Sequence, residues 1–239
     1  MIDDITHLWV YLSATPLLWL AVTLAAYQSG TWVFRRFGCN PLLNPVLTAV
    51  ITLVLMLKIS GTNYKIYFNG AQFIHFLLGP ATVALAIPLY REIEIIRKSS
   101  LSIVITLIFG SLIAIISAVG IAWILGGEKV VLLTLAPKSA TTPIAMGISE
   151  QIGGLPSLTA VAVVLTGISG AVLGDFVLNR LKISDESARG MALGLASHGI
   201  GTAHAIQKSR VAGAFAALAM ALNGLLTAVL LAAFVWLIR

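Results

Sequence analysis

The chain has 239 residues, 59% of them hydrophobic and only 10% charged, with a mean hydropathy of +0.99. That composition excludes an ordinary soluble domain. The formal charge of +6 is scattered over short connections, as in cytoplasmic loops, and does not form a nucleic-acid surface.

Uncharged runs at 5–34, 37–57, 66–90, 99–127, 151–174 and 211–238 are each about long enough to cross a hydrocarbon core of roughly 30 Å. The pattern predicts an all-α polytopic membrane protein. Alternating ten-residue segments, the mark of a membrane β-barrel, are missing. Apolar segments run at about 8–34, 41–58, 71–90, 100–126, 130–150, 155–179, 190–207 and 211–238, giving seven or eight transmembrane or re-entrant pieces. The first lacks a basic leader and a cleavage signal, so it reads as retained structure. The lone cysteine, Cys39, excludes an internal disulfide framework. Trp9, Trp19, Trp32, Trp123 and Trp236 read as interface anchors.

The second segment opens on Asn40-Pro41-Leu42-Leu43-Asn44-Pro45, a turn and helix start. Asn44 there is either a cap or a polar group on a transport path. The third contains Gly79-Pro80-Ala81-Thr82 and then Pro88, which predicts a break near Gly79–Pro80 with Gly79 and Thr82 lining a site. Beyond it, Glu92 and Glu94 lie among Arg91, Arg97 and Lys98, a pattern of a solvated loop.

The fifth segment carries Ala136-Pro137-Lys138-Ser139-Ala140-Thr141-Thr142-Pro143. Two prolines, a charge and three hydroxyls do not make a lipid-facing helix. A lysine at membrane depth is costly without a partner or water, and irregular backbone is tolerated there only around a cavity or inside protein. If Pro143 opens a half-helix, its free amides and positive dipole end join Lys138, Ser139, Thr141 and Thr142 in holding a carboxylate. The competing reading is a lysine that snorkels to an interface.

In the sixth segment Asp175 is either an ion or proton site or an interfacial acid facing Arg180 or Lys182. The seventh contains Ser197-His198-Gly199-Ile200-Gly201-Thr202-Ala203-His204. Gly199 and Gly201 allow close backbone approach, Thr202 offers a hydroxyl, and His198 can carry a proton near neutral pH. A satisfied histidine among small-residue helix contacts is the structural alternative.

Gly79-x-x-Thr82 matches Gly199-x-x-Thr202 at an offset of about 120, which suggests one transmembrane domain over 1–239 with internal repeats 1–120 and 121–239. Duplicated, interrupted segments are a pointer to a secondary-transporter site at the repeat interface. Two topologies compete. If every segment crosses, basic residues divide evenly. If 130–150 and 190–207 are re-entrant, Arg35, Arg36, Arg91, Arg97, Lys98, Arg180, Lys182, Arg189, Lys208 and Arg210 fall on one side, and Lys58, Lys65, Lys129 and Arg239 on the other. The positive-inside rule favours the second. The short connections lack GxSxG, HExxH, a phosphate-binding loop and CxxC, so no enzyme, metal site or cofactor is expected.

The stretches LGPATVALAIPLYRE at 78–92, LAPKSATTPIAMGISEQIGGLPSLTA at 135–160 and GMALGLASHGIGTAHAIQ at 190–207 resemble the LrgB/CidB family of bacterial membrane proteins over nearly the whole chain. The resemblance implies a multi-pass inner-membrane protein with a small LrgA/CidA-like subunit. It also implies one of two functions. The first is transport of small carboxylates such as glycolate, glycerate, pyruvate or lactate, as in a related plastid carrier. The second is antiholin-like regulation of murein hydrolases and lysis. His204 stands where the family usually has arginine, so no anion-binding role carries over to that position. Symmetry makes a homo-oligomer the default assembly. The residues themselves favour transport, with Lys138 near mid-membrane and close to His198, Gly199 and Thr202.

Overall fold

The computed structural model describes residues 16–38 and 43–238, and the described residues are helical with no strand. Trp9, Cys39 and Arg239 lie outside them. The chain divides into a first unit ending at Ala84 and a second spanning Leu85–Arg239.

In the first unit, α1 (Pro16–Arg36) ends on Arg35 and Arg36, where two cations meet the negative end of the helix dipole. Helix α2 (Pro45–Ser60) starts at Asn44, whose side-chain oxygen accepts from the amides of Val46 (2.9 Å) and Leu47 (3.3 Å). It stops at Gly61, held at φ 63°. Ala26, Ala49 and Leu53 bury where α1 meets α2. Trp19, expected as an interface anchor, is instead fully buried and packs edge-on against Tyr67 of α3 (Tyr64–Phe76), with ring centroids 5.8 Å apart. Trp32, Trp123 and Trp236 are exposed, as interface anchors should be.

The break expected at Gly79–Pro80 is displaced. Gly79 and Pro80 lie inside α4 (Leu78–Ala84), and the run is interrupted at Leu77 and again at Leu85, before α5 (Ala86–Arg91). A proline withholds its amide from the carbonyl one turn earlier, so Pro80 opens the ladder just after Phe76, and Pro88 just after Ala84.

The second unit continues with α6 (Ile93–Lys98), α7 (Ser100–Ile124), α8 (Lys129–Leu135), α9 (Thr142–Ile152), α10 (Pro156–Arg180), α11 (Glu186–Lys208) and α12 (Arg210–Ile238). Glu92, expected in a solvated loop, is 5% exposed and accepts from Arg210 Nε at 2.8 Å, which ties the α5–α6 joint to the start of α12. Two segments turn back on themselves. Helices α8 and α9 form a hairpin: Thr134 near the end of α8 accepts from Leu155 N (2.9 Å), and Thr159 Oγ1 lies 2.9 Å from Thr134 O and 2.7 Å from Ser149 Oγ. Both ends of this segment therefore lie at one end of the unit.

Helix α11 reverses at His198, whose φ of 40° and ψ of −128° are not helical. A Cβ at Gly201 would collide with Leu193 O, a contact that a straight helix places far out of reach. Ser209 Oγ bonds to Glu186 Oε2, so the two ends of α11 are neighbours. Helix α10 is 25 residues, about 37 Å, and leads from the base of the first hairpin to the base of the second. The hairpins thus enter from opposite ends and form an inverted pair within this unit. The inward arm of the second hairpin packs closely on α12: a Cβ at Gly194 would collide with Ala216 O.

The described helices long and apolar enough to cross a membrane are Leu17–Arg36, Tyr64–Arg91 (through its two interruptions), Ser100–Ile124, Pro156–Arg180 and Arg210–Phe234. With the shorter Pro45–Ser60 and the two hairpins, they account for the segments read from the sequence, in the re-entrant arrangement. In the second unit Arg180, Lys182, Arg189, Lys208 and Arg210 gather at the base of the second hairpin, and Lys129 lies at the base of the first. The duplication offset by about 120 residues pairs Thr82 with Thr202, but the local structure differs. Thr82 lies in α4 between two proline kinks, and Thr202 lies on the returning arm of a hairpin.

Candidate functional site

The turn 136–141 between α8 and α9 is built from two tight backbone bonds, Lys138 N to Leu135 O (3.1 Å) and Ala140 N to Pro137 O (2.9 Å). Pro137, Ser139 and Ala140 are buried, and their packing projects Lys138 into a cavity of about 600 Å³. Hydroxyls line that cavity: Ser139 from the first tip, Ser197 from the second, Thr166 and Ser169 from α10, Thr106 and Ser117 from α7. The tips lie at mid-length of the spanning helices. Asn223, near the middle of α12, donates to Ser139 O (2.8 Å), and Ser111, near the middle of α7, bonds to Asn223 (2.6 Å).

Among the described residues Lys138 has no carboxylate partner. Its Nζ lies 3.5 Å from Ser139 Oγ. Ion pairs among the described residues join Asp175 to Arg189, His204 and Lys208, and Glu92 to Arg210. Burial of a cation is tolerated when an anion or water completes it. The arrangement is a fixed positive charge ringed by hydroxyls, suited to one small carboxylate. A larger cavity of about 660 Å³ lies behind the first hairpin, walled mostly by apolar side chains such as Leu112, Val119, Leu132 and Leu231, with Lys129 as its charged lining residue and no hydroxyls to join it.

The sequence profile of the LrgB-like family matches residues 23–237. This chain belongs to the LrgB-like family. It is 39% identical to the uncharacterized protein YwbG of Bacillus subtilis over 87% of this chain and 92% of that protein. It is 33% identical to the antiholin-like protein LrgB of Bacillus cereus over 92% of this chain and 96% of the relative, and equally similar to the Bacillus anthracis protein of that name. No solved structure matches.

The remaining expected site residues of this LrgB-like chain have other places. Thr141 is the extended residue before α9 (φ −65°, ψ 149°), and neither it nor Thr142 lines the cavity, because the chain has already turned away from it after Ala140. His198 caps the second tip from within. Its Nε2 donates to Val163 O of α10 at 2.9 Å, and the ring is buried. It does not line the cavity. Thr202 Oγ1 lies 2.8 Å from His198 O and 3.3 Å from Ala216 O, so its hydroxyl points at the hairpin's own backbone and α12. Gly201 accommodates the opposite arm, whereas a Cβ at Gly199 would make only an ordinary contact with Met220 Sδ, at 3.9 Å. Asn44, Gly79 and Thr82 belong to the first unit. There Asn44 caps α2, and Gly79 and Thr82 sit inside α4.

Asp175 is the centre of an ionic cluster at the base of the second hairpin. Arg189 Nη2 (2.7 Å), His204 Nε2 (2.7 Å) and Lys208 Nζ (3.3 Å) converge on it, not the expected Arg180 or Lys182. One partner comes from the inward arm and two from the returning arm, so the fold-back at His198 creates the cluster. Asn223 lies outside the constellations read from the sequence, and Ser197, which heads the second of them, carries no assigned role there. A lone amide in an otherwise apolar 29-residue helix was the available signal for Asn223. Among the described residues no group of three His, Cys, Asp or Glu side chains is placed to hold a metal ion.

Proposed function

We propose that this LrgB-like chain is a secondary transporter, or the transporting subunit of one, for small monocarboxylates such as glycolate, glycerate, pyruvate or lactate across the bacterial inner membrane. The observation that carries the reading is Lys138: a cation without an acidic partner among the described residues, at mid-length of the spanning helices, between the tips of two opposed re-entrant hairpins. In this reading the carboxylate pairs with Lys138, and the hydroxyls of Ser139 and Ser197 take the oxo or hydroxyl group beside it. Each hairpin guards the site from its own end, so movement of one tip at a time gives alternating access. The basic end, carrying Arg180, Lys182, Arg189, Lys208 and Arg210, is assigned to the cytoplasm. A homo-oligomer and a small LrgA/CidA-like subunit complete the proposed assembly.

A second reading follows from the antiholin-like name of the Bacillus relatives: a regulator of murein hydrolase activity and lysis, acting through a partner. Uptake of labelled glycolate, pyruvate and lactate into proteoliposomes, with and without the small subunit, separates the two. Saturable uptake that competes among these acids supports transport. No uptake in either preparation, from folded protein, overturns it in favour of regulation. Activity from a monomer without the subunit would remove the proposed assembly while leaving transport in place.

A further inference from the structure

The side chain of Asn223 is fully buried and uses its whole hydrogen-bonding capacity. Its Nδ2 donates to Ser139 O at 2.8 Å and to Leu195 O at 3.3 Å. Its Oδ1 lies 2.6 Å from Ser111 Oγ and 3.5 Å from Thr227 Oγ1. The two N–H groups thus reach different hairpins: Ser139 is in the tip of the first, and Leu195 is on the inward arm of the second, just before Ser197. The amide can point only one way. Backbone carbonyls accept and never donate, so the NH2 group must face Ser139 and Leu195, and the two hydroxyls behind it donate to the oxygen. Helices α7 and α12 hold the amide from behind while it holds both tips in front.

We propose that Asn223 is a positioning residue that couples the two hairpin tips, so that loosening one loosens the other. When a tip withdraws, its carbonyl and one N–H lose their partners in a closed interior, and a single bond remains to aim the amide at the other tip. A ligand held between Lys138 and Ser197 would bind best when both tips are in place, and in that consequence the proposal rests on the transport reading. The coupling itself does not require a ligand.

The test uses full-length protein in lipid nanodiscs, with Cys39 replaced by serine and a single cysteine at Ser139 or at Ser197, both buried. Maleimide labelling without substrate reports how often each tip opens. Asn223→Leu keeps similar volume and removes every bond. Asn223→Asp keeps the shape but turns acceptors toward two carbonyls. Each should raise labelling at both cysteines by about tenfold, and the Kd for labelled pyruvate should rise by a similar factor at unchanged site number. Ser111→Ala, which leaves both tip bonds intact but frees the oxygen, should raise both rates less, and it serves if the Asn223 variants fold poorly. Unchanged labelling at either cysteine in folded Asn223→Leu, or at both in Ser111→Ala when the Asn223 variants do not fold, overturns the coupling. Wild-type protein that binds no carboxylate while both rates rise would sink the transport reading and leave the coupling standing.

Discussion

Replacing Lys138 by methionine keeps the length of the side chain and removes its charge. The structure makes this a clean perturbation, because among the described residues Lys138 holds no carboxylate that would be orphaned. Its contact with Ser139 Oγ, at 3.5 Å, is weak. Folding should therefore survive, with normal yield and a monodisperse profile. Substrate binding should not. Truncating one partner of a desolvated charge pair costs about 2–5 kcal/mol, and the half-buried position of Lys138 favours the lower figure. About 2 kcal/mol corresponds to roughly a thirtyfold loss of affinity. Initial uptake of labelled substrate below saturation should fall by at least about tenfold, while the exposed Lys182→Met control should transport normally. Near-normal uptake by well-expressed Lys138→Met would refute the anion-site reasoning and shift the weight to regulation. Reduced yield together with normal specific uptake would point to a structural lysine.

Adding a methyl at Gly170 drives it into Ser197 Oγ and to 2.6 Å from Ser197 Cβ, so Gly170→Ala should push the second tip off α10 and destabilise the protein by about 1–3 kcal/mol. A melting curve in detergent that overlays the wild type would contradict that packing. Asp175→Asn leaves Arg189, His204 and Lys208 without their shared anion. Hydrogen exchange over 186–208 should then accelerate, most strongly at the hairpin base; unchanged protection there would show that the cluster does not hold the arms. Thr202→Val should leave substrate affinity as it is and lower only stability, since the hydroxyl bonds to His198 O and Ala216 O. A large affinity loss in a stable Thr202→Val protein would return Thr202 to the site.

The apolar segments and their bounds were legible because each is a long one-dimensional signal: about twenty residues without charge have few alternatives to a membrane helix. The break at Pro137–Pro143 was legible for the same reason, since the offending residues are consecutive. Proline kinks were read one turn too late, at Gly79–Pro80 in place of Leu77, because a proline acts on the carbonyl before it. Lys138 announced itself as a lone charge in an apolar run. Asn223 gave a weaker form of the same signal and was passed over.

Sequence alone determined that this chain is a helical membrane protein of the LrgB-like family, with irregular backbone around Lys138 and His198. Only the tertiary structure decided what those irregularities do. Direction of travel after a break is not written in composition: a helix that pauses and continues, and one that pauses and returns, have the same hydropathy. The return becomes visible in contacts between residues far apart in the chain, Thr134 with Leu155 and Gly201 with Leu193. The same fold-back sets apart residues that look alike in sequence. It brings Ser139 and Ser197 to the cavity that Lys138 lines, turns Thr202 toward its own backbone, and makes Asp175 the anchor of three basic side chains. Side-chain chemistry supplied the candidates, and the orientation imposed by packing selected among them.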